Sequence, residues 1–437
     1  MTWHTDLLLE TDKRFLWHPF TPMRQWCDPE NRPPVLCRGE GVWLFDTDGN
    51  RYFDGNSSIW TNIHGHSHPA LLRALREQSE RLCHSSFLGS TNPPAIEFAE
   101  ALVKKMPDSG MERIFYSDDG STAIEVAIKM TCQFHQLRYN LIKSRFVVFN
   151  HAYHGDTLGA SSLGGVKQFF ERFSAYHFPV TIVNNAEELD AMSSADAEMV
   201  AAVVIEPVIQ GVAGMKPWPK GMLRRLRDWC DTHGALLIYD EVMTGFGRTG
   251  TLFAAQQEAV WPDFLCLAKG ITGGLMPLAA TCTTQRVFET FLGDLADNKT
   301  FFYGHSYTGN ALACAVALAS LKLFETEQTL DNVSSRSAQL SGELFQHIRP
   351  LPAVKEIRHL GLIAGIELDP AFAPADLPPG RFGAAVCQAA KKHGLLTRPI
   401  LDLVVFMPPL CVNANDMSFA IEALVQAIKE VSSDRIR

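Results

Sequence analysis

The order of apolar runs predicts an α/β protein: a large domain built on a mostly parallel sheet, with a smaller α+β domain beside it. Two observations carry this expectation. Between residues 113 and 268, short apolar runs alternate with longer segments of helical periodicity, the order produced when each strand is followed by a crossover helix. The runs themselves are RFVVF (145–149), MVAAVVI (199–205), ALLIY (235–239) and DFLCLA (263–268). They lack the polar alternation of a half-exposed strand, which is the pattern of a sheet covered on both faces. With 437 residues and 46 % hydrophobic content, the chain has enough apolar mass to fill such a core.

Each element follows from a local signal. GVWLFDTDGNRYF (41–53) alternates about Asp48-Gly49-Asn50, a hairpin signature. Helical periodicity follows over 69–84 and 94–106. RIFYS (113–117) reads as a strand, a helix opens at Asp119-Gly120-Ser121, and the strand at 145–149 comes next. A helix over 219–233 separates the strands at 199–205 and 235–239, and a long helix from about 309 to 326 leads out of the large domain. Beyond it the pattern gives another helix, short strands around 353–368 and 395–407, and a terminal helix from about 414. The expected organisation is an N-terminal segment (1–60) that joins the small domain, a large domain (61–325) and a C-terminal small domain (326–437). No internal repeat is evident.

Composition narrows the function classes. A net charge of −9 argues against a nucleic-acid partner, which needs a concentrated basic surface. It leaves room for an anionic ligand, since a phosphate site needs only local N–H groups and a few side chains. The ten cysteines form no Cys-x-x-Cys pair and read as thiols of a reducing compartment. The start, MTWHTDLLLETDKRF, lacks the apolar stretch of a secretory signal. No run approaches about 18 apolar residues, so no membrane span is expected. These features predict a soluble cytoplasmic protein.

The chemistry concentrates in LLIYDEVMTGFGRTG…PDFLCLAKGITGG (236–274). One buried strand delivers Asp240-Glu241 at its end, and the next delivers Lys269, followed by Gly270 and Gly273-Gly274. Ligands in open α/β sheets bind at such carboxyl ends. A lysine leaving an apolar strand among glycines is suited to lose its proton and form a Schiff base, and an aspartate one strand away to hold a pyridinium nitrogen protonated. Alone, a strand-end aspartate usually caps a helix or sits in a solvated loop and a lysine is usually a surface group; the combination is selective.

Other strand ends supply partners. Ser117-Asp118-Asp119-Gly120-Ser121-Thr122 joins a strand to a helix whose free N–H groups and dipole suit a phosphate, although an ordinary N-cap has the same look. Asn150-His151-Ala152-Tyr153-His154-Gly155-Asp156-Thr157 places an aromatic ring at a strand end, where it can stack on a flat ligand or pack in the core. His154 and Asp156 have no accompanying ligands, so no metal is expected. Glu206 follows the strand at 199–205 and reads either as a site residue or as a solvated loop acid.

The Asp240-Glu241 strand, Gly245-Phe246-Gly247-Arg248-Thr249-Gly250, Asp263 and Lys269-Gly270-x-x-Gly273-Gly274 together resemble the signature of the class III pyridoxal-phosphate aminotransferases. The resemblance implies a fold type I transferase that uses pyridoxal 5'-phosphate. In it, Lys269 would carry the cofactor and shuttle the proton, Asp240 would hold the ring nitrogen protonated, and Gly120 and Ser121 would bind the phosphate. Tyr153, in a Tyr-His-Gly-x-Thr element, would meet one ring face and the substrate, with Val242 on the other face and Glu206 near the cofactor edge. In Gly304-His305-Ser306-Tyr307-Thr308-Gly309-Asn310, Ser306 stands where relatives place a threonine that reaches the neighbouring subunit's cofactor phosphate, with His305 beside it. A homodimer with composite sites follows, although Ser306 could also cap a helix.

Trp17-His18-Pro19-Phe20, Asp54-Gly55-Asn56-Ser57-Ser58-Ile59-Trp60, His64-Gly65, Arg398-Pro399 and Phe406-Met407-Pro408-Pro409 are similar to one subgroup, the diaminopelargonic acid synthases of biotin biosynthesis. This implies amination of 8-amino-7-oxononanoate to 7,8-diaminononanoate. Arg398 would hold the far carboxylate by a bidentate fork, Trp60 and Tyr153 would wall the apolar chain, and Gly304 would border the substrate. Phe20 and Ile59 stand on the donor side, where common members carry Tyr and Trp. The expected donor is S-adenosylmethionine, with L-lysine as the alternative. Another class III ω-aminotransferase, or a noncatalytic protein on the same fold, would share the cofactor signature.

Overall fold

The computed structural model describes residues 3–143 and 145–432. Its centre is a seven-stranded sheet in the order Met111–Ser117, Ala279–Thr284, Phe264–Leu267, Leu236–Asp240, Val200–Ile205, Arg145–Phe149, Val180–Val183. Neighbours from Phe264–Leu267 to Val180–Val183 pair in parallel. Ala279–Thr284 runs antiparallel to both of its neighbours, so it alone opposes the other six. The mostly parallel sheet expected from the apolar runs is thus present, with one reversed strand that the runs did not indicate.

The strands bury alternate residues on opposite faces, as a pleat requires. Phe149, Val203, Ile205, Leu237, Tyr239 and Leu265 pack with Met222, Leu223 and Leu226 of the helix Met222–His233. Phe146, Val148, Val204, Leu236, Ile238 and Phe264 pack with Ala123, Ile124 and Ala127 of the helix Gly120–Tyr139. Both faces are therefore closed by helices, and Val200–Ile205, Leu236–Asp240 and Phe264–Leu267 are buried along their whole length.

The Asp48-Gly49-Asn50 hairpin is formed by Trp43–Asp46 and Arg51–Asp54. Asp46 fixes its turn, accepting from the amides of Asp48 (3.0 Å) and Asn50 (2.8 Å). The hairpin extends into a four-stranded sheet that includes Leu395–Leu396, which runs parallel to Arg51–Asp54. N-terminal and C-terminal segments thus share one sheet. A second four-stranded sheet is made by Val354–Leu360, Ile363–Leu368, Leu403–Phe406 and Arg398–Ile400. The helices Phe382–Lys392 and Ala414–Val431 pack together beside it. No helix among the described residues is long and apolar enough to cross a membrane.

Candidate active site

The carboxyl ends of the parallel strands open into a cavity of about 430 Å³. Of the residues singled out in the sequence, Trp60, Gly120, Ser121, Tyr153, Glu206, Asp240, Val242 and Lys269 all line it. They arrive from separate strand ends, which is what the crossover topology does with side chains placed just beyond each strand.

Strand parity decides which acid of the Asp240-Glu241 pair faces this cavity. Asp240 is on the same side as Leu236 and Ile238 and emerges into the cleft. Glu241 turns the other way and is fully buried, accepting from the amides of Ala254 (2.7 Å) and Ala255 (2.8 Å). Burial pushes its carboxyl up to about 7, against those hydrogen bonds. Glu241 therefore anchors the following loop, and Asp240 is the one available to a ligand.

Asp240 is held on both oxygens. Oδ1 accepts from the Val242 amide (3.1 Å), and Oδ2 lies 2.7 Å from Nδ1 of His154. The side chain of His154 is fully buried, and its Nε2 has no hydrogen-bond partner among the described residues. This histidine was weighed in the sequence only as a metal ligand; the structure makes it the partner that orients Asp240. Both carboxylate oxygens retain a second lone pair, so Asp240 can still accept from a ligand N–H.

Lys269 sits just past its strand in the left-handed region, at φ 46°. Its ammonium lies 4.9 Å from the centroid of the Trp60 ring. Burial pulls the amine below the usual lysine range, and the negative charges of Asp240, Glu206 and Asp156 oppose that shift. Glu206 accepts from the amides of Tyr153 (3.2 Å) and Gly211 (2.8 Å), and burial pushes it up to about 7. The alternative reading of Glu206 as a solvated loop acid is thereby excluded, since only 6 % of the residue is exposed. Tyr153 donates from its hydroxyl to Asp156 (2.8 Å), and its ring stacks on Phe170 with centroids 6.0 Å apart. Desolvation raises its phenol, so it stays protonated.

The start of the helix Gly120–Tyr139 forms an anion cradle at the cavity edge. Asp119 caps it by accepting from the Thr122 amide (2.9 Å), while the amides of Gly120 and Ser121 have no acceptor among the described residues. Glycine is required at 120, because a Cβ there would lie 2.6 Å from Cγ1 of Val242. Ser121 Oγ accepts from the Asp156 amide (3.1 Å), joining the cradle to the Tyr153 loop. A carboxylate for a ring nitrogen, a shielded amine, an aromatic wall and free amides for a phosphate together fit pyridoxal 5'-phosphate.

The remaining expected site residues lie elsewhere. Phe20 and Arg398 line a second cavity of about 1090 Å³, which shares Val212 with the first. Ile59 is 41 % exposed and lines neither cavity. Gly304, His305 and Ser306 are in a segment outside the Lys269 cavity, where Nδ1 of His305 lies 3.3 Å from Asp118 and the Ser306 carbonyl accepts from His84 (2.8 Å). These three do not line their own chain's cavity, although His305 touches its rim at Asp118; the role expected of Ser306 is at a neighbouring subunit's phosphate.

Trp60 reaches the cavity through an unusual backbone. Ser57, Ser58, Ile59 and Trp60 have φ of 44°, 48°, 66° and 69°, four successive non-glycine residues in the left-handed region. Each is disfavoured by roughly 1–2 kcal/mol, and most of all the β-branched Ile59. Nothing in SSIW signals this turn.

Comparisons with known proteins give the family. The family described as Aminotransferase class-III matches residues 28–428. An adenosylmethionine-8-amino-7-oxononanoate aminotransferase of Nitratidesulfovibrio vulgaris is 43 % identical, over 98 % of this chain and 82 % of that protein. Its namesake in Geobacter sulfurreducens is 42 % identical over 98 % of each. Among solved structures, the enzyme of that name from Methanocaldococcus jannaschii superimposes with a TM-score of 0.93 at 37 % identity, covering 98 % of this chain and 100 % of the other. An amine transaminase from an uncultivated Pseudomonas species in its PLP-bound form gives a TM-score of 0.88 at 29 % identity, over 95 % and 99 %.

Proposed function

Because the chain belongs to the class III aminotransferases and works with pyridoxal 5'-phosphate, we propose that it aminates 8-amino-7-oxononanoate to 7,8-diaminononanoate in biotin biosynthesis. The observation that carries the reaction type is the convergence of Lys269, Asp240 with its His154 partner, and the free amides of Gly120 and Ser121 on one cavity. The substrate follows from the relatives of that name and from Arg398 in the adjoining cavity.

The cofactor, when bound, supplies an aldehyde that joins amines and a ring that accepts an electron pair. The chain does the rest. Gly120 and Ser121 hold the phosphate with backbone N–H groups at a helix start. Asp240, oriented by His154, keeps a proton on the ring nitrogen. Tyr153 and Val242, which line the cavity, would flank the ring. Burial lowers the basicity of Lys269, so its Nζ gives up a proton more readily than an exposed lysine and can then take one from, or return one to, the reacting carbon.

Arg398 serves the far carboxylate of the keto acid. Arg398→Ala is expected to raise KM for 8-amino-7-oxononanoate by about 10–100-fold, the value of a charge-assisted hydrogen bond, with a smaller change in kcat. Steady-state kinetics with the amino donor held saturating check this; an unchanged KM would remove Arg398 from the substrate site.

The donor is S-adenosylmethionine, the molecule that the relatives' name specifies. L-lysine is the second reading, favoured by Phe20, which lines the adjoining cavity and offers no hydroxyl on the donor side. The protein is a cytoplasmic homodimer in this account. In such a dimer the exposed Ser306, outside its own chain's cleft, would serve the neighbouring subunit's phosphate, and the described cysteines are all free thiols, in keeping with a reducing compartment.

A further inference from the structure

We propose that the left-handed turn Ser57–Trp60 is a positioning device for the Trp60 ring over the Lys269 amine, and that Asp54 is the residue that holds it. The inference rests on Lys269 being the reactive amine. A run of four non-glycine residues at positive φ persists only where its surroundings over-determine it. Here the surroundings are explicit. Asp54, 3 % exposed, accepts through Oδ1 from the Ser58 amide (3.0 Å) and through Oδ2 from the Ser58 hydroxyl (2.8 Å). His66 braces the same carboxylate, its Nε2 2.9 Å from Oδ2.

Other contacts close the turn. Ser57 donates its hydroxyl to the Met407 carbonyl (2.5 Å). Its own carbonyl accepts from the amides of Thr61 and Asn62, both at 3.0 Å. The indole N–H of Trp60 donates to Oδ1 of Asn56 (2.8 Å). With its polar edge tied back to Asn56, the ring presents its face to Nζ of Lys269 at 4.9 Å, where it shields the amine from water and favours the ammonium electrostatically.

A right-handed turn would relieve the backbone but aim Trp60 elsewhere. Asp54 is not among the cavity-lining residues, and the turn it holds is what carries Trp60 into the cavity. The effect of a residue that only stabilises the fold would not depend on the Trp60 ring.

A double-mutant cycle between Asp54→Asn and Trp60→Ala separates the two roles. Two readouts are taken: kcat/KM for 8-amino-7-oxononanoate, and the pH midpoint for acetylation of Lys269 in the cofactor-free protein. Asp54→Asn is expected to lower kcat/KM about ten-fold through misplacement of the ring. It is also expected to move the acetylation midpoint in the same direction as Trp60→Ala does. In the double variant, adding Asp54→Asn should cost less than about two-fold beyond Trp60→Ala, because the ring it positions is already gone. Losses that multiply in the double variant, or an Asp54→Asn enzyme matching the wild type in both readouts, would overturn the proposal. Should Asp54→Asn not fold, Ser58→Ala removes one of the same hydrogen bonds and is put through the same cycle with the same criteria. A Lys269→Ala control that stays active would refute the functional reading instead, and so tells the two failures apart.

Discussion

Lys269→Ala is expected to abolish turnover, lowering kcat by at least about 10⁴-fold, the combined loss of a nucleophilic amine and a general acid/base. No other described amine can substitute, because among the described residues the cavity is lined by no other lysine. The variant should fold normally: alanine replaces a side chain that makes no hydrogen bond among the described residues, although the backbone there, at φ 46°, keeps its cost. Its absorption spectrum should also change, since the cofactor would be retained only by its phosphate and ring contacts. Steady-state assay and a spectrum of the same preparation check both. Activity within about ten-fold of wild type would mean that another group carries the chemistry.

The second large effect is expected at Asp240. Asp240→Asn removes the negative charge from the ring-nitrogen site while keeping an acceptor for the Val242 amide, so cofactor binding should survive and kcat should fall by about 10³-fold, in the range of lost electrostatic stabilisation. The pairing with His154 sharpens this. An asparagine amide opposite Nδ1 either donates to it, which reverses the tautomer, or turns its carbonyl oxygen there and exposes the NH₂ to the ring nitrogen. His154→Gln keeps the Asp240 charge and should cost much less, near ten-fold. Single-turnover rates of the donor half-reaction measure both variants. Equal losses in the two would mean that orientation, rather than charge, is what Asp240 supplies.

The parts of the fold that could be read from the sequence were those set by local pattern. Apolar runs without alternation marked four strands of the central sheet because burial on both faces leaves no other composition. The reversed strand Ala279–Thr284, AATCTT, carries small residues and threonines and gave no such signal; its place is set by pairing with strands on either side of it. Val180–Val183 is an edge strand, and the helix Phe382–Lys392 was likewise not marked.

The site shows the same division. Asp240 and Lys269 are strand-end residues in a dense motif, and they were legible. His154 owes its role to a partner 86 positions away, which no spacing reveals. The left-handed turn at 57–60 is fixed in part by Met407, 350 positions distant, against every local preference of Ser-Ser-Ile-Trp. Gly304, His305 and Ser306 lie outside the cleft of their own chain, and their assignment depends on a second subunit.

The most direct test of the account is a two-step single turnover on the cofactor-loaded enzyme. S-adenosylmethionine, or failing that L-lysine, is added first to convert the cofactor to its amine form, and 8-amino-7-oxononanoate is added second. The second addition is expected to restore the original spectrum and release 7,8-diaminononanoate in an amount equal to the enzyme sites. An amine form that returns with another keto acid or aldehyde, but not with 8-amino-7-oxononanoate, would contradict it.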